Sequence, residues 1–415
     1  MDSTGKLKLP LLLDGATGTN LMLRGMPQGV CVEEWVLQHP QVIEEIQREF
    51  IEAGSDVIYA PTFSANIAKL SHYGLQDKAD EMNRELARLS LQTALNLGGK
   101  TLVAGDLSPT GLFCEPFGET KFMDLIDIYA RQALSLKEAG VQLLVCETMM
   151  SLTDIRAAFL GARQAGLPVL VTITVDERGR TLTGADMLSC LLVMQSLGAA
   201  GFGLNCSAGP DKMLEHIRRI MPYAKIPIIA KPNAGVPKAG QEHTYDMAPE
   251  QMAEHMRALL QEGVQIIGGC CGTTAAHIAA MRRVLDTFDF SQVHVQPDTL
   301  HPIQVANEGE VFFLQEDFEL SDPVECSLDM ADDLLDAEDE GCSAISVHVS
   351  TVDDAYQLGV NCHMAHTPVS ILADSAEALE MALLYYNGIA IIDSRSDATR
   401  SQMEELSKGY GSPIL

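Results

Sequence analysis

Positive charge is scarce in this chain: its 415 residues include 28 lysines and arginines against 57 aspartates and glutamates, a formal charge of -29. A surface of that sign repels phosphate backbones and anionic lipid, which argues against a nucleic-acid partner or a membrane-surface role. Lysine and arginine are missing altogether between Val284 and Ser394, so the chain divides electrically near residue 283. No window approaches the roughly 18 uninterrupted apolar residues of a membrane span. The apolar run from Leu9 to Leu13 is cut by Asp14, too soon for a secretory signal, and the expectation is a soluble cytoplasmic protein. The ten cysteines have no regular spacing and do not resemble a secreted disulfide framework. In a reducing compartment, clustered cysteines point to metal binding or catalysis.

Hydrophobic residues, at 47%, are plentiful enough for large globular units. Length alone fits two or three domains, or one α/β barrel of about 250 residues with an extra piece. Short apolar runs recur at Leu11–Leu13, Val57–Ala60, Leu102–Ala104, Leu143–Cys146, Val169–Val175, Phe202–Leu204, Ile226–Ala230 and Gln265–Ile267. Each reads as a buried strand. Between them lie segments with apolar residues three or four apart, such as Val42, Ile46 and Phe50, which read as amphipathic helices. Gly54 and Gly140 stand where two of these helices end, at natural C-cap positions.

Strand and helix alternating eight times over the first part of the chain is the pattern of a (β/α)8 barrel, with a doubly wound open sheet as the alternative. Polar residues stand at or just after the end of each run: Asp14, Thr62, Asp106, Glu147, Thr174, Cys206, Lys231 and the pair Cys270–Cys271. Barrel enzymes assemble their sites at these strand ends, so the barrel is preferred. Thr62, Asp106 and Thr174 read as ordinary loop or capping groups. Beyond residue 284 an acidic stretch to about residue 340 shows few strand signals. Strands are then expected at Ala344–Val349, Pro368–Ala373 and Ile389–Ile392, with helices near Val352–Leu358 and Ser375–Tyr386. The division expected is a barrel over residues 1–290 and, over 291–415, an acidic linker and small α/β domain.

Cys206 stands in Gly203-Leu-Asn-Cys-Ser-Ala-Gly-Pro210 after the sixth run, and Cys270 and Cys271 in Gly268-Gly-Cys-Cys-Gly-Thr-Thr274 after the eighth. In a barrel those two ends face one mouth. Three thiolates there would hold Zn²⁺ and leave a fourth tetrahedral position open, as in catalytic sites. Buried cysteines or a vicinal disulfide in a glycine-rich loop are the alternatives. Zinc with three thiolate ligands activates water poorly but suits binding a substrate thiol and presenting it as a thiolate. Such a thiolate can attack an activated methyl group by in-line displacement, a step that depends on positioning.

These segments, with Asp14-Gly-Ala-Thr-Gly-Thr-Asn-Leu21, resemble the homocysteine S-methyltransferase family in order and spacing across roughly residues 8 to 285. That family includes betaine-homocysteine methyltransferase and the homocysteine-binding barrel of cobalamin-dependent methionine synthase. The resemblance implies a (β/α)8 fold, Cys206, Cys270 and Cys271 as zinc ligands, and L-homocysteine as the substrate converted to methionine. It also implies that Asp14 and Glu147, the latter in Val145-Cys-Glu-Thr148, receive the substrate's amino group. Gly15 and Gly18 can turn backbone N–H groups toward the substrate carboxylate, and Asn205 can orient the site. The methyl donor stays open between a small molecule and a corrinoid protein.

Cys362, His363 and His366 read as a chance loop grouping, and Lys231 in Ala230-Lys-Pro-Asn-Ala-Gly235 is not assigned to catalysis. Residues Thr367 to Ser394 resemble part of the folate-binding barrel that follows the homocysteine barrel in methionine synthase. Asp393 stands where that barrel usually has Asn, so the piece reads as a remnant of a pterin-binding barrel that should not bind folate. A small cap or a homo-oligomer contact is its simpler use. Rival readings are methylation of another thiol or selenol, and a non-catalytic zinc- or homocysteine-binding subunit of a corrinoid system.

Overall fold

The computed structural model describes residues 7–207, 209–238, 241–300, 303–315 and 318–415; Ala208 of the Cys206 motif lies outside them. Eight parallel strands form one sheet: β1 (Leu11–Leu12), β2 (Val57–Tyr59), β3 (Leu102–Leu107), β4 (Leu143–Met149), β5 (Val169–Ile173), β6 (Gly201–Asn205), β7 (Ile228–Lys231) and β8 (Ile266–Ile267). Each coincides with one of the apolar runs to within a few residues. Strand β1 pairs with β8, and the order runs on from β8 through β7 back to β2. At the seam between β1 and β2, Asp56 N–H donates to the Leu12 carbonyl at 2.7 Å, and the Leu12 N–H to Asp56 Oδ2 at 2.8 Å. The sheet is thus a nearly closed barrel, and the open-sheet alternative is excluded.

A helix follows every strand: Pro40–Glu52, Ala79–Asn96, Phe122–Ala139, Leu152–Ala162, Met187–Leu197, Pro210–Ile220, Pro249–Gln261 and Ala275–Thr287. Side chains alternate along each strand as a pleat requires. Leu11, Val57, Tyr59, Leu143, Leu170 and Ile229 pack inside the barrel. Their neighbours Leu12, Ile58, Leu144, Val171 and Ala230 face the helices instead. Gly203 must be glycine, because a Cβ there would lie 1.9 Å from the Ile229 carbonyl oxygen. Gly140 closes its helix in the left-handed conformation with φ 104°.

The C-terminal part holds a second parallel sheet of four strands in sequential order: β9 (Val324–Glu325), β10 (Ile345–Val349), β11 (Val369–Ala373) and β12 (Ile391–Ile392). Helices Ala331–Asp339, Val352–Asn361, Ala376–Tyr385 and Arg400–Tyr410 accompany them. The acidic stretch is more ordered than its sequence suggests. It contains an antiparallel pair, Ile303–Ala306 with Val311–Leu314, besides β9 and the helix Ala331–Asp339. That helix is mostly acid, yet Leu334 and Ala337 supply an apolar stripe, and the two paired strands are too short and half-buried to show a pattern.

Arg156 ties the two parts together. Its guanidinium is 1% exposed and donates to the carbonyls of Leu383 (3.2 Å) and Leu384 (2.9 Å), at the end of the helix Ala376–Tyr385. Cationic groups suit a helix C-terminus, where carbonyls lack partners. Among the described residues no helix is long and apolar enough to cross a membrane.

Candidate functional site

The loops leaving β6 and β8 bring Cys206, Cys270 and Cys271 together, with their sulfurs all within 4.8 Å of one another and half-buried. Cys206 Sγ lies 3.4 Å from Cys271 Sγ. A tetrahedral metal with bonds of about 2.3 Å to sulfur separates its ligands by about 3.8 Å, so the donor set fits such an ion. Hydrogen bonds from Cys206 and Cys270 draw Cys271 down to about 3, and hydrogen bonds with Cys206 and Cys271, then burial, hold Cys270 well above the usual thiol range.

Two asparagines set this geometry. Asn233 spans both cysteine loops: its Oδ1 accepts from the Cys271 N–H at 3.0 Å and its Nδ2 donates to the Cys206 carbonyl at 3.2 Å. Asn205, fully buried, accepts from the Thr148 N–H at 3.1 Å and donates to Thr148 Oγ1 at 2.7 Å. It also points Nδ2 at Cys270 Sγ, 3.8 Å away. Thr148 and Cys206 adopt φ of 59° and 56°, a left-handed conformation that is strained for side chains such as threonine. The Asn205 clamp holds that strain in place. Gly272 has φ 78°, and a Cβ on it would meet the ring of Tyr245 at 2.2 Å, so the turn after Cys271 admits only glycine.

Beside the thiols lies a buried charged nest. Lys231 Nζ is 3.2 Å from Glu147 Oε2, 3.7 Å from Asp14 Oδ1 and 4.0 Å from the centre of the Tyr59 ring. Burial opposes the Lys231 charge, but Glu147, Tyr59 and Asp14 together hold its pKa well above the ordinary value. Asp14 accepts from the Tyr59 N–H at 2.7 Å, and burial lifts its carboxyl to about 6 in spite of Lys231. Asp106, also buried, is pushed far above the carboxylate range by burial and then by Glu147.

The homocysteine S-methyltransferase family model matches residues 11–285. The chain belongs to that family. The methionine synthases of Mycobacterium tuberculosis (strain ATCC 25618 / H37Rv) and Mycobacterium leprae (strain TN) are each 34% identical to it over 284 residues, 64% of this chain. The matched region is 24% and 23% of those proteins, so the chain spans about a quarter of the length of these relatives. The metallated form of the homocysteine methyltransferase MmuM from Escherichia coli superposes with a TM-score of 0.56 at 22% identity, covering 66% of this chain and 95% of that one. At that identity the likeness is one of fold.

In this homocysteine S-methyltransferase family member the expected site residues converge on one barrel mouth. The three cysteines form one group, and Asp14 and Glu147 form another around Lys231. Gly15 packs so closely that a Cβ would lie 2.7 Å from the Phe50 ring. The neighbouring Ala16 N–H is engaged by Thr273 Oγ1 at 3.0 Å, and Gly18 falls inside the helix Thr17–Leu23. Thr62 ties its loop to the Asp106 backbone, as a loop residue would. Cys362, His363 and His366 engage Gly359, Val360 and Glu338 separately and form no metal group among the described residues. Sequence reasoning missed Asn233, Thr148 and Tyr245. Only Asn233 carried a signal, because it sits in the Lys231-Pro-Asn segment at a strand end.

Proposed function

We propose that this chain transfers a methyl group to the thiol of L-homocysteine, giving methionine, with Zn²⁺ held by Cys206, Cys270 and Cys271. The observation that supports this most is the convergence of three half-buried sulfurs within 4.8 Å at the mouth of a barrel. Membership of the homocysteine S-methyltransferase family supplies the substrate. Zn²⁺ bound there would supply the Lewis acidity that keeps a substrate thiol ionised at neutral pH.

The chain's own residues do the remaining work. Asn233 fixes the two cysteine loops relative to each other, and Asn205 aims at Cys270 while pinning Thr148. Asp14 and Glu147 face one lysine between them, so the nest retains room for one more positive charge, that of the substrate ammonium. Gly15 lets the loop after β1 pack directly against the Phe50 ring. The methyl donor, a small molecule or a corrinoid protein, approaches from the open side of the mouth, and no protein nucleophile is required. A reducing cytoplasm suits the site, since the ten cysteines are all free.

We read residues 1–290 as the homocysteine-binding unit and 291–415 as an acidic linker and small α/β unit, a remnant of a pterin-binding barrel. Four parallel strands in sequential order, half the complement of an eight-stranded barrel, support that reading.

The test is zinc stoichiometry on reduced, anaerobically purified protein, with X-ray absorption spectra before and after adding L-homocysteine. One zinc per chain whose sulfur shell grows from three to four is expected from the three-cysteine group. Absence of zinc after repletion would overturn the proposal.

A further inference from the structure

Where the C-terminal part meets the barrel, the protein forms a half-open cavity of about 680 Å³. Its walls come from the loops after β3, β4 and β5 on one side, and from residues 307–310, 356–366 and 385–387 on the other. Neither the three cysteines nor Asp14, Glu147 or Lys231 line it. Small-molecule sites typically measure roughly 300–1,000 Å³.

The rim is apolar in a way that a solvated surface is not. Leu112, Phe113, Phe117 and Leu182 border this one cavity, and Phe117 and Leu182 are 71% and 74% exposed. Phe122, Tyr356 and Tyr385 add further aromatic surface to the wall. Clustered exposed apolar side chains around a concavity mark a binding site.

The charges point to one class of ligand. Glu115, Glu308 and Glu310 stand on the wall, none of them in an ion pair with a lysine or arginine among the described residues, together with Asp154, whose carboxyl burial lifts to about 7. Glu115 accepts from the Tyr356 hydroxyl, Asp154 from the Tyr129 hydroxyl at 2.7 Å, and Glu308 from Thr183 Oγ1 at 3.1 Å and Asn387 Nδ2 at 3.0 Å. The two arginines of the wall donate to neutral carbonyls: Arg156 to those of Leu383 and Leu384, and Arg180 to those of Gly184 and Gly309, both at 2.9 Å. With Glu310, four carboxyls stand on the wall against two arginines, besides His363 and His366, so its formal balance is acidic. Carboxylates beside aromatic faces recognise organic cations through Coulomb attraction and cation–π contact.

We propose that this cavity binds a hydrophobic organic cation, an aromatic or long-chain amine, at a site separate from the thiol mouth. Because its two walls belong to the barrel and to the C-terminal part, such a ligand would also brace one against the other.

Calorimetric titration of the full chain with 2-naphthylmethylamine, and with 2-naphthoate as a probe of the same ring and opposite charge, tests this. The amine is expected to bind one per chain, with the carboxylate at least about tenfold weaker. Phe117→Ala and Glu308→Gln should each weaken the amine at least about fivefold, and Cys206→Ser should leave it unchanged. Phe117 is largely exposed, so its variant keeps the fold, which circular dichroism verifies. No binding of the amine, equal binding of the carboxylate, unchanged affinity in Phe117→Ala, or loss of affinity in Cys206→Ser would each overturn the proposal.

Discussion

Lys231 Nζ lies 3.2 Å from Glu147 Oε2, which sets the chain's own cation between the two carboxylates that the family resemblance assigns to the substrate's amino group. Asp14 at 3.7 Å completes a nest in which one ammonium faces two carboxyls away from water. Removing one member of a buried charged group leaves the others uncompensated, at a cost of about 3–5 kcal/mol.

Lys231→Met is therefore expected to lower Tm by about 5–15 °C at pH 8, by the usual size scaling. The defect should shrink toward pH 5. Asp14 already titrates near 6, and without Lys231 it takes a proton more readily, which relieves the repulsion with Glu147. Calorimetric melting at several pH values checks this. A defect that does not depend on pH would mean that Lys231 contributes packing rather than charge.

Cys206→Ser should empty the metal site without unfolding the barrel, because the thiol group sits at the mouth and outside the packed interior. Its zinc content is expected to fall well below one equivalent, and methyl transfer to L-homocysteine to fall by at least about a hundredfold. Atomic absorption and a product assay measure the two quantities. Full zinc content with full rate would remove Cys206 from the ligand set.

Asn233→Ala should weaken zinc about 10–100-fold while keeping all three sulfurs, because groups that orient metal ligands typically carry that much affinity. The substitution leaves the Cys271 N–H and the Cys206 carbonyl without their partner. Competition against a chelating dye measures the affinity. Asn233→Asp keeps the acceptor for Cys271 but loses the donor for Cys206, and is expected to fall between the wild type and Asn233→Ala.

The eight barrel strands were legible because both faces of each are buried, so each appears as a short unbroken apolar run bounded by polar residues. The cysteines were legible because two are adjacent and all stand in glycine-rich strand ends. The partners of Lys231 were not: Asp14, Tyr59 and Glu147 come from β1, β2 and β4, and only closure of the barrel brings them to one lysine. Nothing in the sequence around Arg156 marks it as buried. It is buried because the C-terminal part lays the end of a helix over it, a contact spanning more than two hundred positions. The pair Ile303–Ala306 and Val311–Leu314 was missed because half-buried strands of four residues carry too little alternation to stand out from acidic loop.

Asp154 provides the last test, one of linkage. It is 7% exposed, and burial lifts its carboxyl to about 7 even though the Tyr129 hydroxyl donates to it. A carboxyl with a raised folded-state pKa holds a proton that the unfolded chain has already released. Its contribution to stability is thus present below about pH 4 and lost as pH rises through about 7. Across that window the wild type should lose about 1.4 kcal/mol per pH unit from this one group, added to whatever Asp14 contributes. Asp154→Asn retains an acceptor for Tyr129 but cannot ionise, so its urea-unfolding free energy should fall less steeply between pH 4 and 7 and exceed that of the wild type at pH 8. Parallel slopes for the two proteins would show that Asp154 is ionised in the folded state throughout, which would mean that water or a cation reaches it through the neighbouring cavity.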